Sequence, residues 1–118
     1  MHARTKLSVV LTAIAVLSFI VPTLNAQEAG PTITINNTGA NPPYTFEPPQ
    51  LDAKVGQPIT VTNNDPNGVH SVTAKDQSFN VDVAPKQSVT FKVDKAGTFP
   101  YYCQYHTDAH NTASLNVS

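Results

Sequence analysis

From about residue 30 onward, the chain consists of short runs in which apolar and polar residues alternate. A period of two is typical of strands that bury one face against a core. The apolar positions of five such runs are Ile33 and Ile35; Ile59 and Val61; Phe79, Val81 and Val83; Val89, Phe91 and Val93; Leu115 and Val117. Two further runs, Val69–Thr73 and the aromatic-rich Phe99–Cys103, are also extended in character. No long stretch among these runs has the period of a helix.

Turn-forming residues separate the runs. The densest cluster is Asn-Asn-Asp-Pro-Asn-Gly over residues 63–68, and shorter ones fall at 84–86 and 95–97. The proline-rich segment 41–50 is expected to form an edge or irregular strand, because proline cannot donate to a central ladder. About seven to eight short strands at this spacing predict an all-β fold, a sandwich or a barrel, in a single domain over residues 27–118.

The first 26 residues have the order of a secretory signal peptide. A basic start is followed by an uncharged apolar run of 15 residues, Leu7 to Val21, and by small residues ending at Ala26. An uncleaved anchor is the alternative, although a spanning helix needs roughly 18–20 residues. No cysteine follows Ala26 closely, so a lipid anchor is not expected. The sequence therefore predicts an exported domain, with any membrane association only through an uncleaved signal.

Composition narrows the classes of partner. Residues 27–118 hold five lysines, no arginine and eight acidic residues, a formal charge of −3. Nucleic-acid binding and polybasic membrane binding are not expected from such a surface. The only cysteine, Cys103, excludes an internal disulfide, and a bound metal is another way to stabilise a small domain.

Cys103, His106 and His70 are the candidate metal ligands. Two residues separate Cys103 from His106 at the end of the aromatic run, and His70 comes just after the long turn. A thiolate with two imidazoles strongly favours copper, although zinc also accepts this set. A buried inert thiol and an intermolecular disulfide are the simpler alternatives. A Cys–His nucleophile would need an oxyanion site and a cleft, for which so small a domain leaves little room.

Three segments, NNDPNGVHSVT, APKQSVTFKVDKAG and GTFPYYCQYH, resemble the cupredoxins of the plastocyanin and pseudoazurin kind. The resemblance covers roughly residues 46–118. It implies a Greek-key β-sandwich, one copper ion and one-electron transfer with a redox partner protein or small molecule. It also implies that His70, Cys103 and His106 are the three equatorial ligands.

The chain departs from the family at the axial position, where relatives usually place a methionine. Its only methionine is Met1, within the predicted signal. Alignment of the last strand with that of the family places Asn111 at the methionine position, with His110 and Ala109 just before it. Ala109 has no donor, so the axial ligand is His110 or Asn111, or the position is empty or filled by water. If His110 does not bind, it is a solvated loop residue or a proton relay at the mouth of the site. An open position would permit a redox enzyme or sensor for a small ligand such as nitric oxide or nitrite. Copper storage without redox turnover is a further hypothesis.

Other residues near the ligands in sequence have candidate roles. Asn64 and Ser71 are candidates for hydrogen bonds that orient the ligands. The resemblance implies that Ser71, the position after the first histidine, helps to hold the ligand loop, and Tyr105 is a candidate for shielding the thiolate. Four acidic residues are candidates for steering a basic redox partner: Asp65, Asp76, Asp82 and Asp108. Packing is the simpler role for Tyr105, and the simpler interpretation of the four acidic residues is that they form a solvated surface.

Overall fold

The computed structural model describes residues 30–118, and the predicted signal peptide and its cleavage site lie outside that range. The described residues form nine strands: β1 (Thr32–Asn37), β2 (Tyr44–Glu47), β3 (Gln50–Ala53), β4 (Ile59–Asn63), β5 (His70–Ala74), β6 (Asn80–Val83), β7 (Ser88–Phe91), β8 (Gly97–Tyr102) and β9 (Ala113–Val117). The all-β prediction is confirmed. The strand count exceeds the expected seven to eight because the proline-rich segment contributes two strands, β2 and β3.

The strands form two sheets that pack as a sandwich. One sheet has the order β2-β1-β4-β7, and the other has the order β3-β9-β8-β5-β6. Strands β2 and β3 therefore lie at the edges of different sheets, and Pro48 and Pro49 separate them. The edge position predicted for this segment is confirmed, and the two prolines occupy the place where the chain leaves one sheet for the other.

The inner faces of both sheets supply the core. In β1 and β4 the alternation is regular, with Ile33, Ile35, Ile59 and Val61 fully buried. Strand β5 is different because all five of its residues are buried, three of them polar. Since a buried polar side chain needs a hydrogen-bonding partner, β5 is the strand around which a polar site can be expected.

The pairing of β5 with β8 defines one end of the sandwich. The two strands are antiparallel, with Thr73 opposite Tyr102. The start of β5 and the end of β8 consequently lie side by side, and this pairing brings His70 close to Cys103. Within residues 30–118 there is no helix with the length and hydropathy of a membrane span.

Candidate metal centre

Four potential ligand atoms converge at this end of the sandwich. They belong to His70, Cys103, His106 and His110, and all lie within 4.8 Å of one another. The Cys103 Sγ is 3.7 Å from His70 Nδ1 and 3.6 Å from His106 Nδ1. His110 Nε2 is 3.1 Å from His70 Nδ1. The structure thus brings the three predicted ligands together with His110, one of the two residues considered for the axial position.

The donors differ in how they are held. His70 opens β5 and Cys103 directly follows β8, and both are fully buried. His106 and His110 lie on the loop between β8 and β9. This loop folds back on itself, because His106 N donates to Cys103 O and Ala109 N donates to His106 O. Two of the potential metal ligands are therefore fixed by the sheet, and the other two by a tightly turned loop.

Ser71 joins this loop to β5. Its backbone N–H donates to Cys103 Sγ at 3.4 Å, and its Oγ accepts from Gln104 N at 2.9 Å. Thr73 Oγ1 donates its proton to Asn80 Oδ1. In the hydrogen bond between Ser71 Oγ and Thr73 Oγ1, which are 2.8 Å apart, Ser71 is therefore the donor. Ser71 therefore lies where the sequence analysis expected a residue that holds the ligand loop.

His110 is held by aromatic packing. Phe46 stacks on its ring with centroids 4.3 Å apart, Tyr44 stacks at 5.4 Å, and Tyr44 and His110 form an isolated β-bridge. Burial, together with the neighbouring His70 and His106, lowers the pKa of His110 to about 4. The imidazole is therefore neutral near pH 7, with a nitrogen lone pair available to a metal.

Tyr44 contacts all three histidines of the cluster, and the sequence analysis did not identify it. Its ring centroid is 4.6 Å from those of His70 and His106. Tyr44 lies in the proline-rich segment, far from the ligands in sequence and without a motif of its own. Its position depends on β2 pairing at the edge of the other sheet, which local sequence does not reveal.

Asp65 is also part of the site, and the steering role considered for it is wrong. The side chain is 1% exposed, so it cannot act as a surface charge. Its Oδ2 is 2.8 Å from His70 Nε2, the ring nitrogen that faces away from the other donors. Burial acts to raise the pKa of Asp65, but hydrogen bonds with His70, Asn67 and Asn37 hold it below its usual value.

The remaining candidates lie around the cluster. Asn64 is exposed and donates to Asn36, whereas its neighbour Asn63 is fully buried. Asn111 uses both ends of its side-chain amide on the backbone of Phe46, accepting at 2.7 Å and donating at 3.1 Å. The described hydrogen bonds of Asn64 and Asn111 thus lead away from the four converging donors.

Tyr105 lies on the ligand loop and is 49% exposed. Its hydroxyl donates to Asp82 Oδ2 at 2.7 Å, and this hydrogen bond raises the pKa of the phenol. Gln104 Nε2 donates to the other oxygen of the same carboxylate, Asp82 Oδ1, at 3.0 Å. The two residues between Cys103 and His106 therefore attach the loop to β6.

The chemistry of the donor set suits copper. One thiol and three imidazoles provide the soft and borderline ligands that copper accepts in both common oxidation states. Burial is the main cause that lowers the pKa of His106, so this imidazole is also neutral near pH 7. Neutral histidines can bind a metal without first losing a proton.

Comparisons with known proteins agree with this picture. A family model described as a cupredoxin-like domain matches residues 9–113. A purple cupredoxin from Nitrosopumilus maritimus is a similar solved structure, with 23% identity and a TM-score of 0.63 over 75% of this chain and 99% of the other.

An oxidised mutant of amicyanin is similar at 19% identity and a TM-score of 0.61 over 79% of this chain and 86% of the other. A copper(I) form of another amicyanin mutant is similar at 20% identity, with the same TM-score and coverage. A search of curated proteins found no match. The chain belongs to the cupredoxin-like domain family, and membership together with the histidine–cysteine cluster confirms the prediction of one copper ion.

Proposed function

We propose that this protein is a one-electron carrier whose copper is held by His70 Nδ1, Cys103 Sγ and His106 Nδ1, with His110 Nε2 as the fourth donor. The observation that carries the proposal is the convergence of these four donors within 4.8 Å of one another. Family membership supports a copper redox function, and the ligand assignment rests on the geometry.

Bound copper supplies the one-electron redox chemistry, and the surrounding residues keep the donors in place. His70 is part of a fully buried strand, and the hydrogen bonds of Ser71 connect that strand to Cys103 Sγ and to Gln104. A donor set that is fixed in this way has little freedom to rearrange when the charge of the centre changes. Fast electron exchange requires that property.

The packing favours His110 over Asn111 or water as the fourth donor. Its ring lies against Phe46 and Tyr44, and its Nε2 faces His70 Nδ1 at 3.1 Å. Asn111 is committed to the backbone of Phe46. Tyr44, which contacts three histidine rings, also favours a covered centre over one open to small ligands.

Electron exchange is proposed to occur at the end of the sandwich that carries the ligand loop. His106 is partly exposed on this loop, and Val69 and Tyr105, each a neighbour of a ligand in sequence, are 41% and 49% exposed. The exposed Asp76, Asp82 and Asp108 remain candidates for steering a redox partner protein or small molecule.

We further propose that the domain is exported and comprises residues 27–118 after removal of 1–26. The order of basic, apolar and small residues in that segment supports the proposal. Mass spectrometry of the protein recovered from its native host should find a chain that begins at Gln27. A chain that retains residues 1–26 would contradict cleavage.

Spectroscopy of the copper-loaded domain tests the electron-carrier proposal. The oxidised protein should show intense visible absorption from thiolate-to-copper charge transfer, lost on adding one electron equivalent and restored by oxidation. Cys103→Ser should abolish the absorption, whereas Lys92→Ala, an exposed control, should leave it unchanged. A visible spectrum that survives Cys103→Ser would refute thiolate coordination.

The fourth donor has its own test. His110→Ala should change the visible and electron paramagnetic resonance spectra, while the matched loop control Asp108→Ala, an exposed residue, should not. Identical spectra in parent and His110→Ala would rule out coordination by His110. A parent spectrum that changes on adding azide or nitrite would instead favour the small-ligand enzyme or sensor.

A further inference from the structure

Asp65 contributes a carboxylate at a place where no solvent reaches it. It is 1% exposed and His70 is 0% exposed, and their closest side-chain atoms are 2.8 Å apart. Acidic side chains are almost never fully buried without a partner. The partner of the buried Asp65 carboxylate is the imidazole of His70, so the carboxylate can act on that ring.

The direction of the hydrogen bond between His70 Nε2 and Asp65 Oδ2 follows from what the other ring nitrogen, Nδ1, faces. His70 Nδ1 faces Cys103 Sγ and His110 Nε2, and a nitrogen that binds a metal carries no proton. The proton of a neutral His70 ring then resides on Nε2 and is donated to Asp65 Oδ2. The second carboxylate oxygen, Oδ1, accepts from Asn67 N at 3.0 Å and from Asn37 Nδ2 at 3.4 Å. Each of these partners donates, so the group acts as a charged carboxylate.

The loop between Asp65 and His70 is shaped for this contact. A Cβ on Gly68 would lie 2.8 Å from Asp65 Oδ2 and 3.4 Å from His70 Nε2, so only glycine leaves room for the pair. The buried Asn63 spans the same loop, accepting from Asp65 N at 2.9 Å and donating to Gly68 O at 2.8 Å. The position of the carboxylate is thus set by the lack of a side chain at Gly68 and by the hydrogen bonds of Asn63.

We propose that Asp65 is a positioning residue that fixes His70 with Nδ1 free for copper and, through its buried negative charge, stabilises the oxidised state of the centre. The inference rests on the proposed function, since it assumes that His70 Nδ1 binds copper. Carboxylates on the outer nitrogen of a ligating histidine orient the ring and strengthen it as a donor. A negative charge near the centre favours the form with the higher positive charge.

The test compares Asp65→Asn with Asp76→Asn. The first variant keeps an oxygen that can accept from His70 but removes the charge, and the second removes an exposed carboxylate elsewhere. Asp65→Asn should raise the reduction potential by at least about 59 mV, which is a tenfold change in the equilibrium constant of a one-electron couple. Asp76→Asn should leave the potential unchanged.

A second measurement needs no variant. Long-range proton–nitrogen correlation spectra of the copper(I) protein, which is diamagnetic, should show His70 protonated at Nε2. A His70 ring protonated at Nδ1 would overturn the proposal, even if Asp65→Asn fails to fold.

The outcomes separate this inference from the proposed function. If Asp65→Asn keeps its visible absorption and its potential stays within a few millivolts of the parent, Asp65 has no such role although the copper centre stands. If the parent itself lacks thiolate-to-copper absorption, the proposed function fails and this inference fails with it.

Discussion

Replacement of the buried Asn63 by alanine should destabilise the fold far more than replacement of its exposed neighbour Asn64. The Asn63 side chain is 0% exposed. Its Nδ2 donates to Gly68 O at 2.8 Å and to Val83 O at 3.0 Å, and its Oδ1 accepts from Asp65 N. Alanine would leave three backbone groups, one of them only partly buried, without these partners, at about 1 kcal/mol or more for each.

With the cavity left by the amide, the total loss for Asn63→Ala is about 3–5 kcal/mol. A domain of about 90 residues is stabilised by roughly 5–13 kcal/mol, so this loss is a large fraction. The side chain of Asn64 donates to the side chain of Asn36 on the surface, and alanine keeps the backbone hydrogen bond from Asn64 N to Ile35 O, so Asn64→Ala should cost less than about 0.5 kcal/mol.

Urea unfolding and thermal unfolding of the metal-free proteins measure both variants against the parent. The midpoint of thermal unfolding should fall by at least about 12 °C for Asn63→Ala and by at most a few degrees for Asn64→Ala. Copper should restore part of the loss, because metal binding stabilises only the folded state. Equal effects of the two substitutions would show that the hydrogen bonds of Asn63 do not brace the 63–68 turn.

Four further results are expected. Tyr44→Ala should let azide alter the visible spectrum of the copper protein, whereas Tyr44→Phe, which keeps the ring, should not. A Tyr44→Ala spectrum that does not change with azide would show that the ring does not cover the centre. Ile35→Ala, at a fully buried position, should lower the free energy of unfolding by about 2–5 kcal/mol, and Val55→Ala, 46% exposed, by less than about 0.5 kcal/mol. Ser71→Ala leaves Gln104 N without its acceptor and should cost about 1–3 kcal/mol in urea unfolding while the copper colour persists. Removal of copper by a chelator should lower the midpoint of thermal unfolding, and an unchanged midpoint would show that the metal does not bind preferentially to the folded state.

The strands and the principal donors could be predicted from the sequence, because both depend on local pattern. Alternation at Ile33, Ile35, Ile59 and Val61 predicts which face of each strand is buried, and the structure confirms those positions as core. The spacing of Cys103 and His106 predicts a metal-binding loop, because two donors so close in sequence need only a turn to face one ion.

Which residues surround these donors was decided by tertiary structure alone. His110 is held by Tyr44 and Phe46, which are more than sixty positions away and meet it only because β2 lies at the edge of the opposite sheet. Asp65 belongs to a cluster of turn-forming residues that sequence alone assigns to the surface, yet it is buried against His70. The physical reason is that alternation specifies the two faces of a strand, whereas burial of a loop side chain depends on which distant segments pack over it.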